Sequence, residues 1–131
     1  MPAQRSADLR LAPRGSWLRR ARVFVLTSDS EGLPLSTMEA MMCGLPVVAS
    51  AVGDLSDLVS DGVNGYLIEE RTPENFSKRI LDLLTNTERL GRFAKAARHS
   101  IERHNVDAVI QTWDAILASD TLTSSQKRCA A

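Results

Sequence analysis

No stretch of this 131-residue chain approaches the run of about 18 apolar residues that a transmembrane helix needs. A membrane-spanning reading is thereby set aside. Net charge is also missing, since sixteen basic residues balance sixteen acidic ones, so no global field argues for nucleic acid as a partner. Cysteine is scarce. Cys43, inside an apolar segment, and Cys129, near the end, supply neither metal-ligand spacing nor a disulfide framework, and no signal peptide is visible. A reducing cytoplasm is the expected compartment. No internal repeat is evident.

What is present is the composition of a globular protein, 44% hydrophobic and 24% charged. The length allows one domain and is small for a complete two-substrate enzyme. Charge is unevenly spread. Arg5, Arg10, Arg14, Arg19, Arg20 and Arg22 face the single acid Asp8 at the N-terminal end, a run whose bland reading is a solvated segment.

The order of elements points to an α/β fold. Residues 1–16 hold Pro2, Pro13 and Gly15 without a sustained period and read as irregular or truncated chain. Val23 to Thr27 is a short apolar run without alternation, as expected of a parallel strand covered on both faces. Ser36 to Cys43 reads as a helix stopped by Gly44 and Pro46, and Val47–Ser50 and Gly65–Ile68 as two further buried strands. Between them, Gly53 to Ser60 suits a short helix. Asp61-Gly-Val-Asn-Gly65 suits a turn, because Asn and Gly tolerate positive φ.

Beyond Thr72, an N-cap followed by Pro73, helical periods take over. Phe76, Ile80, Leu81, Leu83 and Leu84 fall on one side of a first helix, and Leu90, Phe93, Ala94, Ala97 and Ile101 on one side of a second. Val106, Val109, Ile110, Trp113, Ile116 and Leu117 suggest a third, before a polar tail from residue 119. The fold expected is a partial, Rossmann-like, doubly wound parallel sheet over residues 17–118 with helices at its C-terminal end.

In such sheets ligands bind beyond the carboxyl ends of the strands. The stretch Glu31-Gly-Leu-Pro-Leu-Ser-Thr-Met-Glu39 occupies that place after the first strand, with seven residues between its two acids. Gly32 lets a ligand approach the backbone. Leu35 and Ser36 fall at a helix start, where amides without intrahelical partners and the positive end of the macrodipole make a seat for phosphate. Acids on both sides would repel a bare phosphate, yet they suit one flanked by hydroxylated rings, because a carboxylate accepts two hydroxyl hydrogen bonds. The bland alternatives are specific too. Ser36-Thr-Met-Glu39 matches a capping box, Glu31 could be a solvated loop acid, and Thr27, Ser28 and Ser30 could satisfy turn backbone. Met38, Met41, Met42 and Cys43 read as core fillers, His99 and His104 as solvated surface, and Trp17 and Trp113 as packing residues.

The same residues resemble the nucleotide-sugar-dependent glycosyltransferases of the GT-B fold, in particular the retaining family 4 type. Their Glu, seven residues, Glu, then Gly-Pro-Val-Val pattern is matched by Glu31, Glu39 and Cys43-Gly-Leu-Pro-Val-Val-Ala-Ser50. The likeness extends through Val52-Gly-Asp-Leu-Ser-Asp-Leu-Val59 and Asp61-Gly-Val-Asn-Gly-Tyr-Leu-Ile68, and runs roughly from Trp17 to Leu117. It implies the second half of a GT-B C-terminal domain. By this resemblance Glu31 is the candidate catalytic residue, accepting hydrogen bonds from the donor sugar, with Gly32 and Leu33 close to the same ring. Leu35 and Ser36 would offer amides to the diphosphate, and Glu39 would bind the ribose hydroxyls. The donor would be a UDP-, GDP- or ADP-sugar, used as substrate, with no cofactor and no metal.

The chain departs from the pattern at Gly53-Asp54, where many members have Gly-Gly, and at Asp57, where they have Glu. The acceptor-binding domain, and the basic residues that hold the donor phosphates, are not found in it. The resemblance therefore implies a fragment whose cleft a separate chain or an N-terminal domain completes, working in glycan or glycolipid assembly. A non-catalytic nucleotide-binding module and an inactive remnant are the competing readings. If the basic N-terminal run and the helix from Arg89 to Arg103 face one way, peripheral contact with anionic lipid at the inner membrane surface would fit a lipid-linked acceptor.

Overall fold

A computed structural model describes residues 14–102, together with 111 and 115. The chain divides into two compact units, Met1–Ile101 and Glu102–Ala131. Of the third expected helix only Gln111 and Ala115 are described, both helical. His104, Trp113 and Cys129 lie outside the described residues.

The first unit runs α1 (Arg14–Arg20), β1 (Phe24–Leu26), α2 (Leu35–Met42), β2 (Val47–Ser50), α3 (Leu55–Leu58), β3 (Gly65–Ile68), α4 (Pro73–Thr85) and α5 (Thr87–Ile101). The sheet order is β1-β2-β3 and both pairings are parallel, with Val25 beside Val48 and Val48 beside Tyr66. Strands β2 and β3 have the bounds expected from the sequence. The helix α1 does not match expectation, because it starts inside the segment read as irregular. Its only large apolar residues, Trp17 and Leu18, are too few to show a period.

Alternation along β2 explains the two-sided core. Val47 and Ala49 point to one face, where they join Met41 of α2, Leu55 and Leu58 of α3, and Ala97 and Ile101 of α5. Val48 points to the other, among Tyr66, Ile68, Phe76, Leu83 and Phe93. All four β2 residues are buried, as a central parallel strand requires. Strand β1 is different. It has a single strand neighbour among the described residues, and Val25 is 39% exposed, so the expectation of cover on both faces fails there.

Local chemistry fixes the ends of the elements. Past Met42 the Leu45 amide donates to the Ala40 carbonyl and the Gly44 amide to that of Met41, with Gly44 at φ +76°. This is a Schellman ending, and the glycine is needed for its left-handed residue. Thr72 Oγ1 accepts the Asn75 amide and Pro73 opens α4, as read from the sequence. Asn86 Oδ1 accepts the Arg89 amide and so caps α5.

Three expectations are corrected. Leu81 and Leu84 are exposed, because α4 packs through the narrower stripe of Phe76, Ile80 and Leu83. Met42, expected as a core filler, is 63% exposed at the last turn of α2. Asn64 does not take positive φ; among its neighbours only Gly62 does. Its side chain is instead wholly buried, accepting the Ser60 amide and donating to the Leu58 carbonyl and to Ser100 Oγ of α5. Its place is a polar knot in the interior.

A second polar cluster joins β3, α4 and α5. Tyr66 Oη donates to Asp82 Oδ2 at 2.6 Å, Arg89 pairs with the other carboxylate oxygen, and the Arg79 guanidinium lies 4.5 Å from the Tyr66 ring centroid. The Tyr66 and Arg89 hydrogen bonds hold the Asp82 carboxyl below its ordinary range. Desolvation, then the Asp82 bond, pushes the Tyr66 phenol up.

Candidate functional site

The segment leaving β1 turns at residues 27–33 and enters α2 through Pro34. Pro34 is the N-cap, in extended conformation, and no side chain caps the helix. Its carbonyl accepts the Thr37 and Met38 amides, at 3.1 and 3.3 Å. The Leu35 and Ser36 amides therefore lie ahead of the helical ladder, as the sequence suggested. No acid stands in the first turn, so the positive end of the helix is not neutralised there.

This register removes the capping-box alternative. A capping box would need Ser36 at the N-cap and Glu39 at the third helical position, whereas Ser36 is the second residue of α2 and Glu39 the fifth. Glu39 lies one turn beyond Leu35 on the same side of the helix, about 6 Å along its axis. It is half-buried, and Leu35 is 72% exposed. The amide-bearing end of α2 and one of the two acids thus share an accessible face.

Glu31 precedes the helix start by four residues and is half-buried. Ser28 Oγ donates to its Oε1 at 2.5 Å. That corrects the reading of Ser28 as a residue serving turn backbone. Its partner is the candidate catalytic carboxylate. A hydrogen bond between two loop side chains three residues apart leaves no periodic trace, and a Ser beside an acid is too common to signal it.

The Glu31 backbone is fixed from elsewhere in the chain. Gly53, at φ +55°, approaches so closely that a Cβ there would lie 1.7 Å from the Glu31 carbonyl oxygen. Only glycine fits. Asp29 is tied to Arg71, beyond the end of β3, by an ion pair of 2.9 Å. The turns after β1, β2 and β3 therefore meet at the carboxyl end of the sheet. Among the described residues, its own chain neighbours aside, nothing lies within 4 Å of where a Gly32 Cβ would be, and Leu33 beside it is 45% exposed. Gly32, Leu33 and Leu35 are thus exposed, and Glu31, Ser36 and Glu39 half-buried, along the stretch that runs from the turn into the first turns of α2. No cluster of metal-ligating side chains occurs among the described residues.

The model for glycosyl transferases group 1 matches residues 15–100, which takes in the whole of this turn and the sheet that carries it. The chain belongs to that family. It is 39% identical to a D-inositol 3-phosphate glycosyltransferase of Geodermatophilus obscurus, over 84% of this chain and 24% of the relative. Among solved structures it is similar to HepE of Anabaena in complex with UDP, with TM-score 0.73 and 28% identity, over 79% of this chain and 29% of HepE. HepE has also been solved with UDP-glucose. A variant of S. aureus TarM, in complex with fondaparinux, α-GlcNAc-glycerol and UDP, matches with TM-score 0.68 and 34% identity, over 76% of this chain and 20% of its own. The GT-B neighbours carry the fold expected from the sequence. The chain spans about a fifth to a quarter of the length of the curated group 1 relatives it matches.

Proposed function

We propose that this chain is the donor-binding segment of a group 1 glycosyltransferase, with the turn from β1 into α2 as the seat of a nucleotide-sugar. The observation that carries this reading is the start of α2. Two amides outside the helical ladder, with no capping side chain and no first-turn acid, are bracketed by Glu31 and Glu39. The diphosphate would accept hydrogen bonds from the Leu35 and Ser36 amides. Glu39, one turn along, would accept those of the ribose hydroxyls, and Glu31, across the open space at Gly32, those of the donor sugar.

The same arrangement suits the chemistry. When the bond between the anomeric carbon and the diphosphate breaks, negative charge grows on the leaving oxygen, and prealigned amides at a helix start stabilise it without reorganising. The acceptor oxygen then forms the new bond to the anomeric carbon and passes its proton to the departing diphosphate oxygen. Family 4 chemistry, with retention of configuration in glycan or glycolipid assembly, is the form of transfer proposed for the complete enzyme. The acceptor would be held by a domain or separate chain that completes the cleft.

The test is calorimetric titration of the folded chain with UDP, GDP and ADP, wild type beside Glu39→Ala. Binding that the substitution weakens by roughly 1–3 kcal/mol, the cost of a lost hydrogen-bonding partner, supports the assignment and names the nucleotide. Binding unaffected by the substitution removes Glu39 from the site. No binding by a folded wild-type chain overturns the reading.

A further inference from the structure

The hydrogen bond from Ser28 to Glu31 has a consequence beyond local order. Its 2.5 Å length is that of an O–H donor on a carboxylate, the stronger class of hydrogen bond. A glutamate on a loop ordinarily samples many side-chain rotamers, and a ligand that uses it must bear the cost of fixing one. Here that freedom is already restricted. The Glu31 main chain is set by Gly53 against its carbonyl, the turn is tied through Asp29 to Arg71, and the carboxylate is held at Oε1 by Ser28. Among the described residues Oε2 has no hydrogen-bond partner, so it is the oxygen left to face a ligand.

We propose that Ser28 is a positioning residue that holds the Glu31 carboxylate by Oε1 and presents Oε2 to a hydroxyl of the donor sugar. This rests on the reading of Glu31 as the donor-sugar contact, and it confines the effect of Ser28 to the sugar. The diphosphate and nucleoside, seated on α2 and Glu39, gain nothing from it. Ser28 thus governs discrimination between a nucleotide-sugar and the bare nucleotide, without touching either.

The experiment is titration of the wild-type chain, Ser28→Ala and Ser28→Thr with UDP and with UDP-glucose, after melting curves establish that all three fold. Ser28→Ala is expected to weaken UDP-glucose binding by roughly 3- to 10-fold, the range of one net hydrogen bond, and to leave UDP binding unchanged. Ser28→Thr, which keeps a hydroxyl, is expected to restore the wild-type ratio. In a Glu31→Gln background, Ser28→Ala should add less than it does alone, because the two act as a unit. Equal weakening of both ligands would show a general structural role and overturn the proposal, as would an undiminished affinity for UDP-glucose. A wild-type chain that binds neither ligand overturns the site reading itself and this inference with it.

Discussion

An alanine at position 53 would place its Cβ 1.7 Å from the Glu31 carbonyl oxygen, in a backbone conformation that L residues adopt only with strain. Neither part of the contact is the flexible end of a side chain, so relief requires moving the turn that carries Glu31. Gly53→Ala is therefore expected to lower stability by at least about 1–2 kcal/mol, the left-handed strain alone, and to weaken nucleotide-sugar binding as well. Urea titration and calorimetry on the same sample check both. A variant as stable as wild type would mean that the turn yields at little cost. The two acids and the amide-bearing helix start were legible in the sequence, since all lie within one short stretch. The approach of Gly53 to Glu31 was not, because it arises only once β2 has returned beside β1.

Among the elements, the junction of β3, α4 and α5 shows how ionisation supports packing. The Asp82 carboxyl is held below its ordinary value of 3.8, chiefly by the Tyr66 hydrogen bond and then by that of Arg89. Its contribution is thus present above the unfolded value and is lost as pH falls through the folded one. Tyr66 has the opposite sense. Raised above its ordinary 10.0, it contributes below that value and loses its contribution as pH climbs through the folded value. The donor phenol and acceptor carboxylate coexist across the whole range between. Wild-type stability is therefore expected to fall in acid more steeply than that of Asp82→Asn, and Tyr66→Phe should cost about 1 kcal/mol near neutrality. Urea midpoints taken from about pH 3 to pH 8 decide it; parallel profiles for wild type and Asp82→Asn would remove Asp82 as the source. Helices α4 and α5 were readable from their periods, and the start of α4 from Thr72 and Pro73. The cluster between them was not, since Tyr66 reads as one residue of a buried strand, and Asp82 and Arg89 pass for ordinary surface residues in their own segments. Leu81 and Leu84 were placed inside for the converse reason: apolar character was visible, and the width of the buried stripe was not.

For the molecule as a whole, stability should be graded outward from β2. That strand is wholly buried, hydrogen-bonds on both sides and contributes to both cores, so its amides open only when the sheet itself comes apart. Strand β1 has three residues, one neighbour among the described residues, and Val25 partly exposed. Strand β3 also has one strand neighbour among the described residues, yet Asp61 Oδ1 accepts the Leu67 amide at 2.9 Å and so satisfies a donor on that strand. An edge amide with a carboxylate partner is less open to water, and to pairing with another chain, than a bare one. Amide hydrogen exchange is therefore expected to be slowest in Val47–Ser50, intermediate in Gly65–Ile68 and fastest in Phe24–Leu26. Asp61→Ala should raise the exchange rate at Leu67 while leaving β2 unchanged. Protection of β1 equal to that of β2 would mean that its outer edge is covered in solution. Concentration dependence would then tell whether a second copy of the chain supplies the cover.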